Sequence, residues 1–120
     1  MIRTHGLNHV HIRVSDLERS LRFYQQAFGM EEMFREGECM VFLRTPGARD
    51  VITLNSGDGA VDAGHGPVSH IGFDLAEDQD LSDAISQVEA AGGKLLRRGE
   101  HAPGVPYAYV ADPDGFEIEL

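Results

Sequence analysis

The chain's 120 residues, 42% of them hydrophobic, suffice for one compact domain with a buried core. Twenty acidic residues against ten Lys and Arg give a formal net charge of −10, which excludes nucleic acid and anionic membranes as partners by long-range repulsion and points to a small-molecule substrate. A single cysteine, Cys39, permits no internal disulfide and suits a reducing cytoplasm; no apolar run reaches the ~20 residues of a membrane span, and the opening residues carry no apolar signal region.

Residues 7–14 alternate, with Val10, Ile12 and Val14 on one face and His9, His11 and Arg13 on the other, so a strand is predicted. Ser15-Asp16-Leu17-Glu18 reads as a capping box that opens a helix. Leu17, Leu21, Tyr24 and Phe28 recur at helical spacing, and Gly29 ends the run. Short strands follow at 31–36, 38–45 and 50–55, punctuated by Gly37 and by Pro46-Gly47. Residues 56–67 form a glycine-rich linker with almost nothing to bury. Beyond it the plan repeats. Ile71, Phe73 and Leu75 alternate with His70, Gly72 and Asp74. A helix is expected at about 79–91, with Leu81, Ala84, Ile85 and Val88 as its apolar stripe and Gly92-Gly93 as its end. Strands are predicted at 94–98 and 105–111, Asp112-Pro113-Asp114-Gly115 is a tight turn, and a last strand covers 116–120.

The chain thus reads as βαβββ, linker, βαβββ: an α+β domain with modules at about 5–55 and 67–120 joined by 56–66. One helix covers only one side of a four-stranded module, so two modules side by side are expected to curve a mixed sheet of eight strands around a cleft. Strand parity turns His9, His11, Thr53, His70, Tyr107, Tyr109, Glu117 and Glu119 towards that cleft. Duplication pairs His9 with His70 and Thr53 with Glu119. Taken singly, a strand histidine or an edge-strand glutamate is more often structural. Equivalence across the repeat makes His9, His70 and Glu119 candidate ligands of one divalent metal. Two imidazoles and a carboxylate leave open coordination positions, which favours Fe(II), with Mn(II) or Zn(II) as alternatives. His5, His11 and His65 are read as structural or surface residues, and Met30, Met33 and Phe34 as core or dimer packing.

The stretches Leu7-Asn8-His9-Val10, Ser15 to Tyr24, Phe28-Gly29-Met30, His70-Ile71-Gly72-Phe73 and Asp112 to Leu120 resemble the vicinal oxygen chelate superfamily. That superfamily includes glyoxalase I, fosfomycin-resistance and bleomycin-resistance proteins, methylmalonyl-CoA epimerase and extradiol dioxygenases. The resemblance covers nearly the whole chain. It implies the tandem βαβββ fold, a homodimer whose modules pair within one chain or across two, and metal-binding positions at His9, Thr53, His70 and Glu119. Thr53 departs from the pattern, because glyoxalase I has glutamate or glutamine there and the epimerase an amide or acid. Extradiol dioxygenases and the fosfomycin-modifying enzymes manage with His, His and Glu. The resemblance therefore implies extradiol-type ring cleavage as the first reading. Tyr109 would hydrogen-bond the metal-bound substrate oxygen, and His101, in the loop before that strand, would exchange a proton with substrate. The alternatives are a fosfomycin-resistance-like transferase or hydrolase, with Lys94, Arg97 and Arg98 as the cations on offer, a glyoxalase-like lyase, and a non-catalytic drug-binding protein of the bleomycin-resistance kind. The charge of −10 suits the last, and the retained His, His and Glu weigh against it.

Overall fold

The computed structural model describes residues 1, 3, 5, 7–57, 68 and 70–120. Its elements run β1 (Val10–Arg13), α1 (Leu17–Phe28), β2 (Glu31–Glu36), β3 (Met40–Arg44), β4 (Ile52–Asn55), β5 (His70–Gly72), α2 (Leu81–Ala90), β6 (Lys94–Ala102), β7 (Val105–Ala111) and β8 (Glu117–Glu119). In each half the first strand lies parallel to the last, and the helix supplies the crossover that parallel pairing needs. The two strands between add antiparallel, giving sheets ordered β1-β4-β3-β2 and β5-β8-β7-β6. This is the expected α+β pair of βαβββ units. Among the described residues no strand of one sheet pairs with a strand of the other, so a single chain presents two four-stranded sheets.

The modules are joined through their helices and one turn. Asp16, rather than Ser15, caps α1, its carboxylate accepting from Arg19 N at 3.0 Å. Ser15 is used for a longer-range contact. Its backbone N–H and hydroxyl, the Arg19 guanidinium and the Ser20 hydroxyl all donate to the Asp114 carboxylate in the β7–β8 turn. One turn further along α1, Tyr24 Oη donates to Asp112 Oδ2 at 3.0 Å. Both groups are buried. Above this clasp Leu21, Phe23 and Tyr24 of α1 share one apolar cluster with Val41, Leu43 and Leu54 of the first sheet and Val88, Val110 and Ile118 of the second half. Phe28 and Phe73 stack across the junction at 4.3 Å. Gly93 makes the close approach possible. A Cβ there would meet Val88 Cγ1 at 2.6 Å, and Ala111 O and Phe23 Cε2 at 2.7 Å.

Three expectations need correction. The first strand starts at Val10, so His9 lies just ahead of it. The predicted strand at 94–98 runs on to Ala102, which places His101 within a strand and not in a loop. Of the residues read as core or dimer packing, Met30 is buried in the core, and Met33 and Phe34 are exposed, which overturns only the core reading for those two. Of the predicted linker, Ser56 N donates to Cys39 O and Gly57 N to Asn55 Oδ1, while 58–67, with His65, lies outside the described residues. No described helix is long and apolar enough to cross a membrane.

Candidate metal centre

The second sheet gathers most of the expected residues on one face. Parallel pairing sets His70 opposite Glu117 and Gly72 opposite Glu119, and antiparallel pairing sets Tyr109 opposite Glu119. The imidazole of His70 reaches diagonally, its Nε2 lying 3.2 Å from Glu119 Oε2. Tyr109 Oη donates to the same oxygen at 3.0 Å. His101 Nε2 donates to the other, Oε1, at 2.8 Å.

His101 arrives there through an irregularity in the sheet. The β6–β7 register slips between Glu100 and Ala102, leaving His101 as the extra residue of a β-bulge, the kind of feature that re-aims a side chain. Its ring then stacks on Tyr107 at 4.3 Å. Gly99, opposite Tyr107, leaves room for that ring, because a Cβ at this position would stand 2.9 Å from Tyr107 Oη. Tyr107 meets Tyr109 edge-on at 5.6 Å, and Tyr109 meets His70 edge-on at 5.0 Å. Four rings thus run in sequence around one carboxylate. On the far side of Tyr109, Arg97 lies 3.9 Å over the ring centroid and donates to Glu117 Oε2 at 3.0 Å. Arg98 turns to Ser82 of α2 instead.

These contacts set the local charge. The His101 hydrogen bond, followed by that of Tyr109, holds the Glu119 carboxyl below its usual range. Desolvation, followed by the bond to Glu119, pushes the Tyr109 phenol up. The bond to Glu117 pushes the Arg97 guanidinium up as well. Beside Glu119 and His101 a cavity of about 360 Å³ opens, walled by Phe73, Asp74, Pro106 and Tyr107. A larger cleft of about 690 Å³ lies at the module junction between α1, α2 and the β3–β4 turn, away from the histidines.

The first sheet repeats the register with other chemistry. His11 stands opposite Thr53 as Gly72 stands opposite Glu119, so the pairing of Thr53 with Glu119 holds strand for strand. His9 is exposed and its Nδ1 lies 2.7 Å from Asn8 Oδ1. Thr53 is 1% exposed, and its Oγ1 has no hydrogen-bond partner among the described residues. Opposite it, Phe42 stacks on Phe34 at 4.3 Å.

His70 Nε2 and Glu119 Oε2 stand 3.2 Å apart, in direct polar contact with each other. His9 belongs to the other module, and among the described residues no three His, Cys, Asp or Glu side chains are already placed around one point. Among the described residues, one chain by itself therefore assembles no group of three such side chains that could hold a metal ion.

Residues 6–120 match the Glyoxalase/Bleomycin resistance protein/Dioxygenase superfamily. The chain belongs to this superfamily. It is 34% identical to a lactoylglutathione lyase of Arabidopsis thaliana, the match covering 93% of this chain and 42% of that protein, so it spans well under half of that relative. It is 30% identical to the lactoylglutathione lyase of Salmonella typhimurium, over 95% of this chain and 90% of the relative. Among solved structures, a glyoxalase-related enzyme from Fulvimarina pelagi is similar with a TM-score of 0.71 at 26% identity, covering 97% of this chain and 86% of that one. The fosfomycin resistance protein FosX of Listeria monocytogenes shares the fold with a TM-score of 0.79 at 23% identity, covering 98% and 93%. Superfamily relatives named as lyases back the glyoxalase-like alternative and lend no support to ring cleavage.

Proposed function

We propose that the chain is a divalent-metal-dependent enzyme of the glyoxalase type, acting on the adduct of a small α-oxoaldehyde with a thiol. The single observation that carries the reading is the meeting of His70 Nε2 and Glu119 Oε2 at 3.2 Å on paired strands, in a chain whose relatives are named lactoylglutathione lyases. His9, His70 and Glu119 are the proposed metal ligands, His9 being supplied by the module of a second copy in a homodimer. A bound cation would supply charge stabilisation to two adjacent substrate oxygens. Mn(II) is favoured over the Fe(II) expected from sequence, since a FosX variant of the same fold is complexed with Mn(II).

Interconverting an oxoaldehyde–thiol adduct and a hydroxyacyl thioester moves one proton between adjacent carbons. Glu119 is the carboxylate at hand to take and return it. Its bonds from Tyr109 and His101 keep it ionised before substrate arrives. A substrate that displaces either bond raises the basicity of the carboxylate at the moment it is needed. Tyr109, re-aimed from Glu119 to a substrate oxygen 3 Å or so away, would hold the charge that develops there. The cavity of about 360 Å³ beside Glu119 admits a small adduct of this kind.

The test is thioester formation from methylglyoxal and glutathione with chelator-stripped protein, adding Mn(II), Zn(II) or Fe(II) in turn. Metal-dependent turnover that His70→Ala and Glu119→Gln abolish supports the reading. Turnover that survives a chelator overturns it. A coloured ring-cleavage product from catechol and Fe(II), with no thioester, would return the protein to the dioxygenase branch.

A further inference from the structure

We propose that the thiol half of the substrate runs from Glu119 round the end of the second sheet into the cleft at the module junction, and that it is a cationic carrier whose amine is held by Asp74. This deepens the glyoxalase reading and rests on it for the reacting end. The cavity of about 360 Å³ beside Glu119 and the junction cleft of about 690 Å³ share Gly72, Phe73, Asp74 and Leu120. A third cavity, of about 410 Å³, shares Phe73, Asp74 and Leu120 with both, Pro106 with the first and Gln79 with the second. The three are one groove. The reacting carbons need only a corner of it, and the rest has room for a carrier of small-peptide size. Gly72 lies on the passage, paired with Glu119. A Cβ there would meet nothing closer than 3.9 Å, so the position accepts a side chain that would fill the groove.

The lining selects the charge of the carrier. Phe28 and Phe73, stacked at 4.3 Å and each half-buried, give the junction cleft an apolar wall. Among the described residues that line the three cavities there is no Lys or Arg. Of the β6 arginines, Arg97 is bonded to Glu117 and Arg98 to Ser82. The groove's side-chain carboxylates are Asp50, Asp74, Asp80 and Glu119. Three of them are occupied. Asp50 receives Thr45 N and Oγ1, Asp80 caps α2 by receiving Ser82 N and Asp83 N, and Glu119 receives Tyr109 and His101. Asp74 is exposed, lines all three cavities and has no hydrogen-bond or ion-pair partner among the described residues. A groove lined by one sign of charge concentrates ligands of the other, and the net charge of −10 adds to that field. It repels a carrier bearing carboxylates. An ammonium at Asp74 gains a charge-assisted hydrogen bond without displacing one.

Three probes of equal length test this on the full chain: S-methyl glutathione, its diethyl ester, which keeps the amine and loses both carboxylates, and the N-acetylated diester, which is neutral. None can form an adduct with an aldehyde, so calorimetry reads binding apart from turnover. The diester should bind at least about tenfold more tightly than the other two, an advantage that shrinks as salt rises. Asp74→Asn should bring the diester within about threefold of the neutral probe. Gly72→Val should weaken the diester at least about tenfold, with circular dichroism confirming the fold. The proposal is overturned by equal or tighter binding of S-methyl glutathione, by an Asp74→Asn protein that keeps the tenfold preference, by undiminished binding to Gly72→Val, or by no binding of any probe. Failure of the glyoxalase reading shows separately. Binding in the expected charge order, with no metal-dependent thioester from methylglyoxal and the free thiol of the diester, would keep Asp74 and the groove as a site for cationic ligands and overturn the activity.

Discussion

Superposing the two halves by strand register sets His9 on His70, Thr53 on Glu119, Phe42 on Tyr109, Phe34 on Arg97 and Thr45 on Asp112. On the helix-facing side the halves agree in kind. Val41, Leu43 and Ile52 match Ala108, Val110 and Ile118, all buried. On the open face they part. The first sheet places a stacked Phe34–Phe42 pair where the second places Arg97 over Tyr109. Burial fixes the residue type on one side of a sheet, because every polar replacement there needs a partner. The other side is free to specialise, and here one module carries a stacked apolar pair while its twin carries a charged, hydrogen-bonded network. The largest test of that division is His70→Ala, which should lower metal content after chelator-free purification at least about a hundredfold while circular dichroism stays unchanged. His11→Ala, at the face position of the first module opposite Thr53, should leave metal content where it was.

The same comparison holds at the turns. Thr45-Pro46-Gly47-Ala48 and Asp112-Pro113-Asp114-Gly115 each close with a bond of 3.0 Å from the fourth residue's N–H to the first residue's carbonyl. In the first, Asp50 receives Thr45 N at 2.8 Å and Thr45 Oγ1 at 2.6 Å, out in solvent. In the second, Asp112 receives Asp114 N and Phe116 N at 2.9 Å and the buried Tyr24 phenol at 3.0 Å. Removing Asp112 strands three donors, one of them deep in the core. Asp112→Ala should cost about 3 kcal/mol in urea unfolding, and Asp50→Ala under about 1 kcal/mol. Equal costs would mean that the clasp between α1 and the second turn adds nothing to holding the modules together.

Periodicity made most of the fold legible. Alternation of Val10, Ile12 and Val14 and the helical spacing of Leu17, Leu21 and Tyr24 are local signals, and burial enforces them. The repeat of His9 in His70 was legible for the same reason. What escaped was non-local or broke the period. The predicted strand stopped at residue 98, yet Gly99 continues it and makes room for the Tyr107 ring, and the bulge that follows cancels the alternation by which a strand is recognised. Nothing near Ser15 announces that its hydroxyl belongs to Asp114, ninety-nine residues away. The burial of Thr53 was hidden as well, because its parity places it on the open face.

Thr53 offers a smaller prediction of unusual sign. Its hydroxyl is buried and unpartnered among the described residues, so it loses water without gaining a bond. Thr53→Val keeps the shape and removes the polar atom. Its midpoint in urea should rise, by about 1 kcal/mol in stability, with Mn(II) binding unchanged. A fall in stability would show that the hydroxyl has a partner in solution.

The finest distinction between the halves is their response to pH. Burial holds the Asp112 carboxyl above its ordinary value of 3.8, so the folded chain grips that proton more tightly than the unfolded one. Its contribution to stability is therefore fully present below 3.8 and is lost as pH rises through the raised folded value. Glu119 works the other way. Hydrogen bonds from His101 and Tyr109 hold it below its ordinary 4.5, so its contribution is present above that value and is lost as pH falls through the lowered one. In chelator-stripped protein, Asp112→Asn should gain on the parent as pH rises from acid to neutral, and Glu119→Gln should lose ground over the same rise. The first-module counterparts, Thr45 and Thr53, do not titrate. Thr45→Val and Thr53→Val should therefore keep a constant difference from the parent across that range. If either valine variant shows a slope like that of Asp112→Asn, the pH response belongs to the whole fold, and the contrast between the modules is confined to their open faces.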